Sequence, residues 1–79
     1  MKLPQKSDKQ IIMRHIVRFM DRFRPGDTLR TEDIIKHVHR YHRRYIYGDT
    51  ILRYARELRE QGLINYECTN KQNRAIRII

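Results

Sequence analysis

The stretch Gly48–Ile64 reads GDTILRYARELREQGLI. At 3.6 residues per turn, Ile51, Ala55 and Leu58 share one side of a helix, with Tyr54 flanking them. Asp49, Arg53, Arg56 and Glu60 project from the opposite side. The spacing predicts a helix over 49–61, with Gly48 as a turn residue before it. Gly62 stands where a left-handed cap is wanted, a conformation glycine takes without a Cβ penalty. Leu63 and Ile64 follow at once and should turn the chain back into the core. A helix of this kind is anchored by one face and offers the other.

Seventy-nine residues make one domain. A chain of this size buries only about 60% of its unfolded surface, which leaves little room for a large cleft. Lysine and arginine number 18 against 9 aspartates and glutamates, a net charge of +9. Such a field favours a polyanionic partner, with nucleic acid before an acidic membrane surface or an acidic protein. Cys68 is the single cysteine, so neither an internal disulfide nor a cysteine zinc site can form. MKLPQKSDKQ has no apolar run of signal-peptide length, and no later segment approaches a membrane span. An intracellular, cytoplasmic protein is expected, associated with the nucleoid if bacterial.

Upstream of the central stretch, residues 1–6 form a short basic lead, expected to fray. Ser7 and Gln10 have the spacing of a capping box. The first helix should run to about Phe23, with Ile12, Ile16, Phe19 and Phe23 as its main stripe. Met13, Val17 and Met20 form a second stripe. Two stripes suit a central helix touched on two sides, or a homodimer packed through the second stripe. Arg24-Pro25-Gly26-Asp27 is a turn, since proline fixes φ and glycine permits its positive values. A short strand near Leu29 precedes Thr31, an N-cap for a second helix with Glu32 and Asp33 in its first turn. Along that helix Ile34, Val38, Tyr41 and Tyr45 fall near one line. This places Tyr41 and Tyr45 in the core before the surface.

Downstream of Gly62 the period changes to two. Ile64, Tyr66 and Cys68 alternate with polar residues, and Ile76 and Ile78 do the same after a polar tip at 69–73. Asn70 and Asn73 are the candidates for positive φ in that tip. The pattern defines an α+β chain: helix, short strand, helix, helix, and a C-terminal hairpin.

This order on a basic chain resembles the winged helix-turn-helix superfamily, over residues 7–79. The specific part is the recognition-helix register, filled by Thr50, Ile51, Arg53, Ala55, Leu58, Gly62, Leu63 and Ile64. Two positions depart from the family pattern. Leu52 stands where a small polar residue is usual, and Tyr54 and Ala55 exchange the usual sizes. The resemblance implies a three-helix bundle with a β-hairpin wing and binding of double-stranded DNA, as in a small transcriptional regulator. The same fold also serves protein and RNA contacts. An outward Leu52 would suit a protein- or RNA-interaction module. A phage or plasmid replication or recombination accessory protein would share the DNA contact.

The physics of groove reading assigns roles. A major groove about 12 Å wide admits one helix, N-terminal end first. Asp49, Thr50, Arg53 and Arg56 form that front, with the two arginines as base readers and Leu52 against a thymine methyl. Thr50 and the first backbone amides can take a phosphate. Between Lys36 and Arg56 there are six lysines or arginines and one acid, Asp49. Lys36, Arg40, Arg43 and Arg44 are candidate phosphate clamps, and Tyr47 a candidate donor. Asn70, Lys71, Gln72 and Arg74 are candidates at the hairpin tip, which can follow the backbone or enter the minor groove. The bland reading of the front is that Asp49–Arg53 and Arg56–Glu60 pair at i,i+4 on a solvated face. Arg14, Arg18 and Arg22 read as a solvated column. His15, His37, His39 and His42 lack ligand spacing for a metal and suit extra cationic contact below pH about 6.5 instead. Neither a phosphate-cradling glycine loop nor a nucleophile elbow is present, so no enzyme and no cofactor are expected.

Overall fold

The computed structural model describes residues 8–42, 44–70, 72 and 74–79. Ser7, Arg43, Lys71 and Asn73, singled out above, lie outside them. Three helices are followed by a hairpin: α1 (Asp8–Met20), β1 (Thr28–Arg30), α2 (Thr31–Tyr41), α3 (Gly48–Glu60), β2 (Tyr66–Asn70) and β3 (Ala75–Ile78). The order and the hairpin make a winged-helix-like α+β fold. No helix among the described residues is long and apolar enough to cross a membrane.

The first helix stops three residues short of Phe23. The Arg22 and Phe23 N–H groups donate to the carbonyls of Phe19 and Met20, three residues back. That tightened turn leads into Pro25 and into Gly26 at φ 96°. Gly26 N–H donates to the Ile78 carbonyl at 2.7 Å, and Ile78 N–H donates to that of Asp27 at 2.8 Å. The turn is thereby pinned to the last strand. Along α1, Ile12, Ile16 and Met20 are buried, and Met13, Val17, Phe19 and Phe23 pack partly against the core. Met20, of the second stripe, is 5% exposed and belongs to the core. The helix is central, contacted by α2 and α3, as one of the two readings of its stripes expects.

Thr31 does not cap α2. It is the first helical residue, and Arg30 is the cap. The Asp33 carboxylate accepts the Arg30 N–H at 3.0 Å, while the arginine side chain has no acceptor to return. The second helix ends at Tyr41, and His42 is extended (φ −97°, ψ 133°). Helical periodicity therefore fails beyond Tyr41. Tyr41 and Tyr45, expected in the core, are 51% and 73% exposed. Gly48 is no turn residue but the first residue of α3. A Cβ there would stand 3.0 Å from Ile35 Cδ1, so its glycine lets α3 start close against α2.

The far end of α3 closes as expected. Gly62 adopts φ 77°. Its N–H donates to the Arg59 carbonyl, and the Leu63 N–H donates to that of Leu58 at 3.0 Å. This is the paired bond pattern of a Schellman motif. Ile64 then enters the core, but Leu63 is 60% exposed, because the reversal consumes that residue before the chain turns inward.

The sheet order is β1-β3-β2, antiparallel throughout. Leu29 faces Ile76 on one side of β3, and Cys68 faces it on the other. The last strand of the chain is thus the central one. The largest almost wholly enclosed side chains among the described residues are Ile12, Ile16, Ile34, Val38, Ile51, Leu58 and Ile76. Each contributes roughly 1.5–3 kcal/mol by leaving water. Cys68 keeps its place in the alternation but is exposed, lining the open groove between α3 and the hairpin.

His15 and His37 are half-buried between α1 and α2, with ring centroids 6.5 Å apart. His42 lies 6.1 Å from His15. Burial lowers the pKa of His15, helped by His42, Arg18 and Arg14. Burial also lowers that of His37, helped by Arg22, His15 and Arg40. The added cationic contact expected below pH about 6.5 is thus deferred to lower pH at these two rings.

Two consequences can be measured. With folded values depressed, the unfolded chain binds more protons just below the ordinary histidine pKa of about 6.5. Stability is therefore full above that pH and falls as pH drops through the lowered folded values. His15→Gln combined with His37→Gln should flatten urea-melting midpoints between pH about 5 and 7; an unaltered slope would sink the assignment. At Gly62, where an added Cβ meets nothing within 4 Å, Gly62→Ala costs only backbone strain. A loss of about 1–2 kcal/mol is expected in urea unfolding, and no loss would contradict the left-handed cap.

Candidate nucleic-acid interface

The exposed side of α3 and the hairpin enclose an open groove of about 500 Å³. One wall is helical: Asp49, Leu52, Arg53, Arg56 and Arg59. Tyr66 and Cys68 of β2 and Arg74 of the turn make the other, and Thr31 closes one end. Four guanidinium groups thus line a groove with a single carboxylate, Asp49. Of the residues singled out in the sequence, Asp49, Leu52, Arg53 and Arg56 of the helix and Arg74 of the hairpin line this one groove.

The arginine head groups are not neutralised along the helix. Among the described residues the ion pairs are Lys9–Glu57 at 2.8 Å, Asp8–Arg44 at 3.5 Å and Glu67–Arg77. The i,i+4 pairs Asp49–Arg53 and Arg56–Glu60 do not form. Glu57 turns toward α1, where its carboxylate raises the pKa of Lys9 by hydrogen bonding and charge. The acids of α3 other than Asp49 thus stay out of the groove.

Arg59 and Tyr66 escaped the sequence reading. The Arg59 guanidinium lies over the Tyr66 ring, 4.7 Å from its centroid, a cation–π contact that holds the arginine at the groove wall. Tyr66 is buried, and burial raises its phenol pKa against the opposing pull of Arg59. The signal for Arg59 was its spacing of seven from Leu52, which returns it to the same helix side. No local signal pairs it with Tyr66, since the two meet only when the hairpin folds back.

Several predicted residues lie differently. Leu52 is half-buried in the groove wall and does not project outward as an isolated leucine. Thr50 is half-buried, and its N–H donates to the Tyr47 carbonyl at 3.0 Å, so that amide is already engaged. Tyr47 is exposed at the N-cap of α3, with its ring edge-on to Tyr45, 5.6 Å away. Arg44 reaches back to Asp8 at the start of α1. Lys36 and Arg40 line a separate groove between α1 and α2, outside the α3–hairpin groove. Of the dimer candidates, Met13 and Val17 are half-buried against the core and Met20 is within it.

At the hairpin tip, the Asn70 Oδ1 accepts the Gln72 N–H at 3.0 Å, which bends the chain as an Asx turn. Positive φ falls on Arg74, at 52°, and not on Asn70. The Arg74 carbonyl accepts the Thr31 N–H at 2.9 Å, so the strained residue ties the tip to the start of α2. Among the described residues, no three His, Cys, Asp or Glu converge as metal ligands.

The architecture and the groove define the chain as a winged-helix-like α+β domain with a basic cleft between its third helix and its hairpin. Comparison of the chain with protein-family models, with curated proteins and with solved structures gives no match.

Arg74 separates charge from conformation. Arg74→Gly keeps the backbone carbonyl and relieves the left-handed penalty of about 1–2 kcal/mol, partly offset by glycine's greater chain entropy. Urea unfolding should show equal or higher stability while heparin affinity falls. A destabilised variant would show that the arginine side chain holds the turn.

Proposed function

We propose that this chain binds double-stranded DNA as a small transcriptional regulator, with the exposed side of α3 in the major groove and the hairpin tip along the backbone. The observation that carries the reading is the groove itself: Arg53, Arg56, Arg59 and Arg74 around one carboxylate. At 1.5 Å per residue α3 is about 20 Å long, and a major groove accepts a helix of ordinary diameter. Arg53 and Arg56 are exposed, three positions apart, and can each bond the two acceptors of a guanine edge. Asp49 can accept from a cytosine amino group. Arg59, held against Tyr66, and Arg74 at the tip serve phosphates, which orient the protein without reading sequence.

The reading makes a quantitative demand. The two phosphate-neutralising arginines, Arg59 and Arg74, give a log–log salt slope of about −2 for duplex binding. Arg59→Ala should reduce that slope by about one and weaken all duplexes alike. Arg53→Ala should instead cost about 1–3 kcal/mol on the preferred sequence and relax the preference at one base pair. Selection of duplexes from a random pool, followed by anisotropy titrations over a salt series, measures both. A flat salt dependence would overturn the proposal, and a uniform loss with Arg53→Ala would make that residue a clamp.

A further inference from the structure

A second groove, of about 440 Å³, lies between α1 and α2 and shares no lining residue with the first. Its floor is aromatic. Phe19 packs on His37 at 4.6 Å between centroids, His37 on Tyr41 at 4.8 Å, and Phe23 edge-on to Phe19 at 5.1 Å. Its rim is cationic, with Arg22, Lys36 and Arg40 exposed along it. The one acid there, Asp33, has its carboxylate engaged by the Arg30 N–H. Burial, then the neighbouring cations, lower the His37 pKa, which favours the neutral ring on the groove floor. From this juxtaposition we infer that the α1–α2 groove docks a partner protein through a short acidic segment carrying one bulky apolar side chain.

Complementarity selects that occupant. Three cations against the single carboxylate of Asp33 leave the rim net positive and call for carboxylates on the partner. An apolar recess of this volume calls for a large side chain to exclude water, the arrangement of a buried anchor inside a polar rim. A duplex presents its phosphates on a convex surface and cannot fill a recess. A single strand binds by stacking bases on available ring faces. Here the faces of Phe19, His37 and Tyr41 are turned on one another, and Arg40 lies 5.6 Å from the Tyr41 centroid. The mutually covered faces leave less stacking surface for a base than contact surface for an apolar side chain.

The probe is a fluorescein-labelled peptide with one phenylalanine flanked by glutamates, titrated with the full chain and followed by anisotropy. Saturable binding is expected. It should weaken at least about ten-fold, or 1.4 kcal/mol, with Lys36→Glu plus Arg40→Glu, and vanish when the peptide phenylalanine becomes serine. Lys36→Ala plus Arg40→Ala should act in the same direction by a smaller factor, and circular dichroism verifies that each variant is folded. Arg53→Ala plus Arg56→Ala should leave peptide binding unchanged, so this inference and the DNA reading fail separately. Absence of saturable binding, or binding that survives the charge reversal, overturns the proposal. So does a labelled oligo(dT) that binds in the peptide's place and is lost with the same reversal.

Discussion

Burial of Ile51, Ala55 and Leu58 is the constraint from which the rest of the molecule follows. The three side chains are enclosed, and α3 meets both α1 and α2. Anchoring one side of a helix in this way dictates which side is left to solvent, to within the angular width of the apolar stripe. The ends are held as firmly. Gly48 allows close approach to Ile35 at the start, and the left-handed Gly62 closes the finish. A rigidly held helix can present Arg53 and Arg56 in one geometry, which is what recognition of a fixed partner requires.

Charge is distributed by the same packing. A net +9 costs self-repulsion in any compact state, and the fold relieves part of it through Glu57 with Lys9 and Glu67 with Arg77. Glu57 is thereby kept out of the α3–hairpin groove, where Asp49 is the one carboxylate beside four arginines. Two fields of cations lie on separate grooves, one between α3 and the hairpin and one between α1 and α2. The first has an aromatic residue, Tyr66, holding Arg59 in place. The second has aromatic rings as its floor. Similar residue types thus make two chemically different surfaces.

The order of elements was legible because each boundary carries its own local signal. Pro25, Gly26 and Gly62 stand at turns, and the change from helical to alternating period follows Gly62 directly. The predicted third helix is displaced by one residue from the observed one at each end. Legibility failed where a residue's fate depends on where an element stops. Tyr45 lies on the α2 line only if the helix continues, and it ends at Tyr41. Thr31 has the chemistry of a cap but sits one position inside the helix, since Asp33 accepts the amide before it. Cys68 alternates correctly and is still exposed, because alternation fixes a face and not what covers it.

By itself the sequence determined the elements, their polarity and the residues of the α3 front, since these depend on short-range stereochemistry and on the 3.6- and 2-residue periods. Tertiary structure alone decided that β3 is the central strand, that Tyr66 supports Arg59, and that Arg74 faces Arg53 and Arg56 across a groove. It also assigned Lys36 and Arg40 to another surface. Those outcomes join residues distant along the chain. They are set by the angle at which the sheet leaves α3 and by how α1 packs on α2, and no local spacing encodes either one.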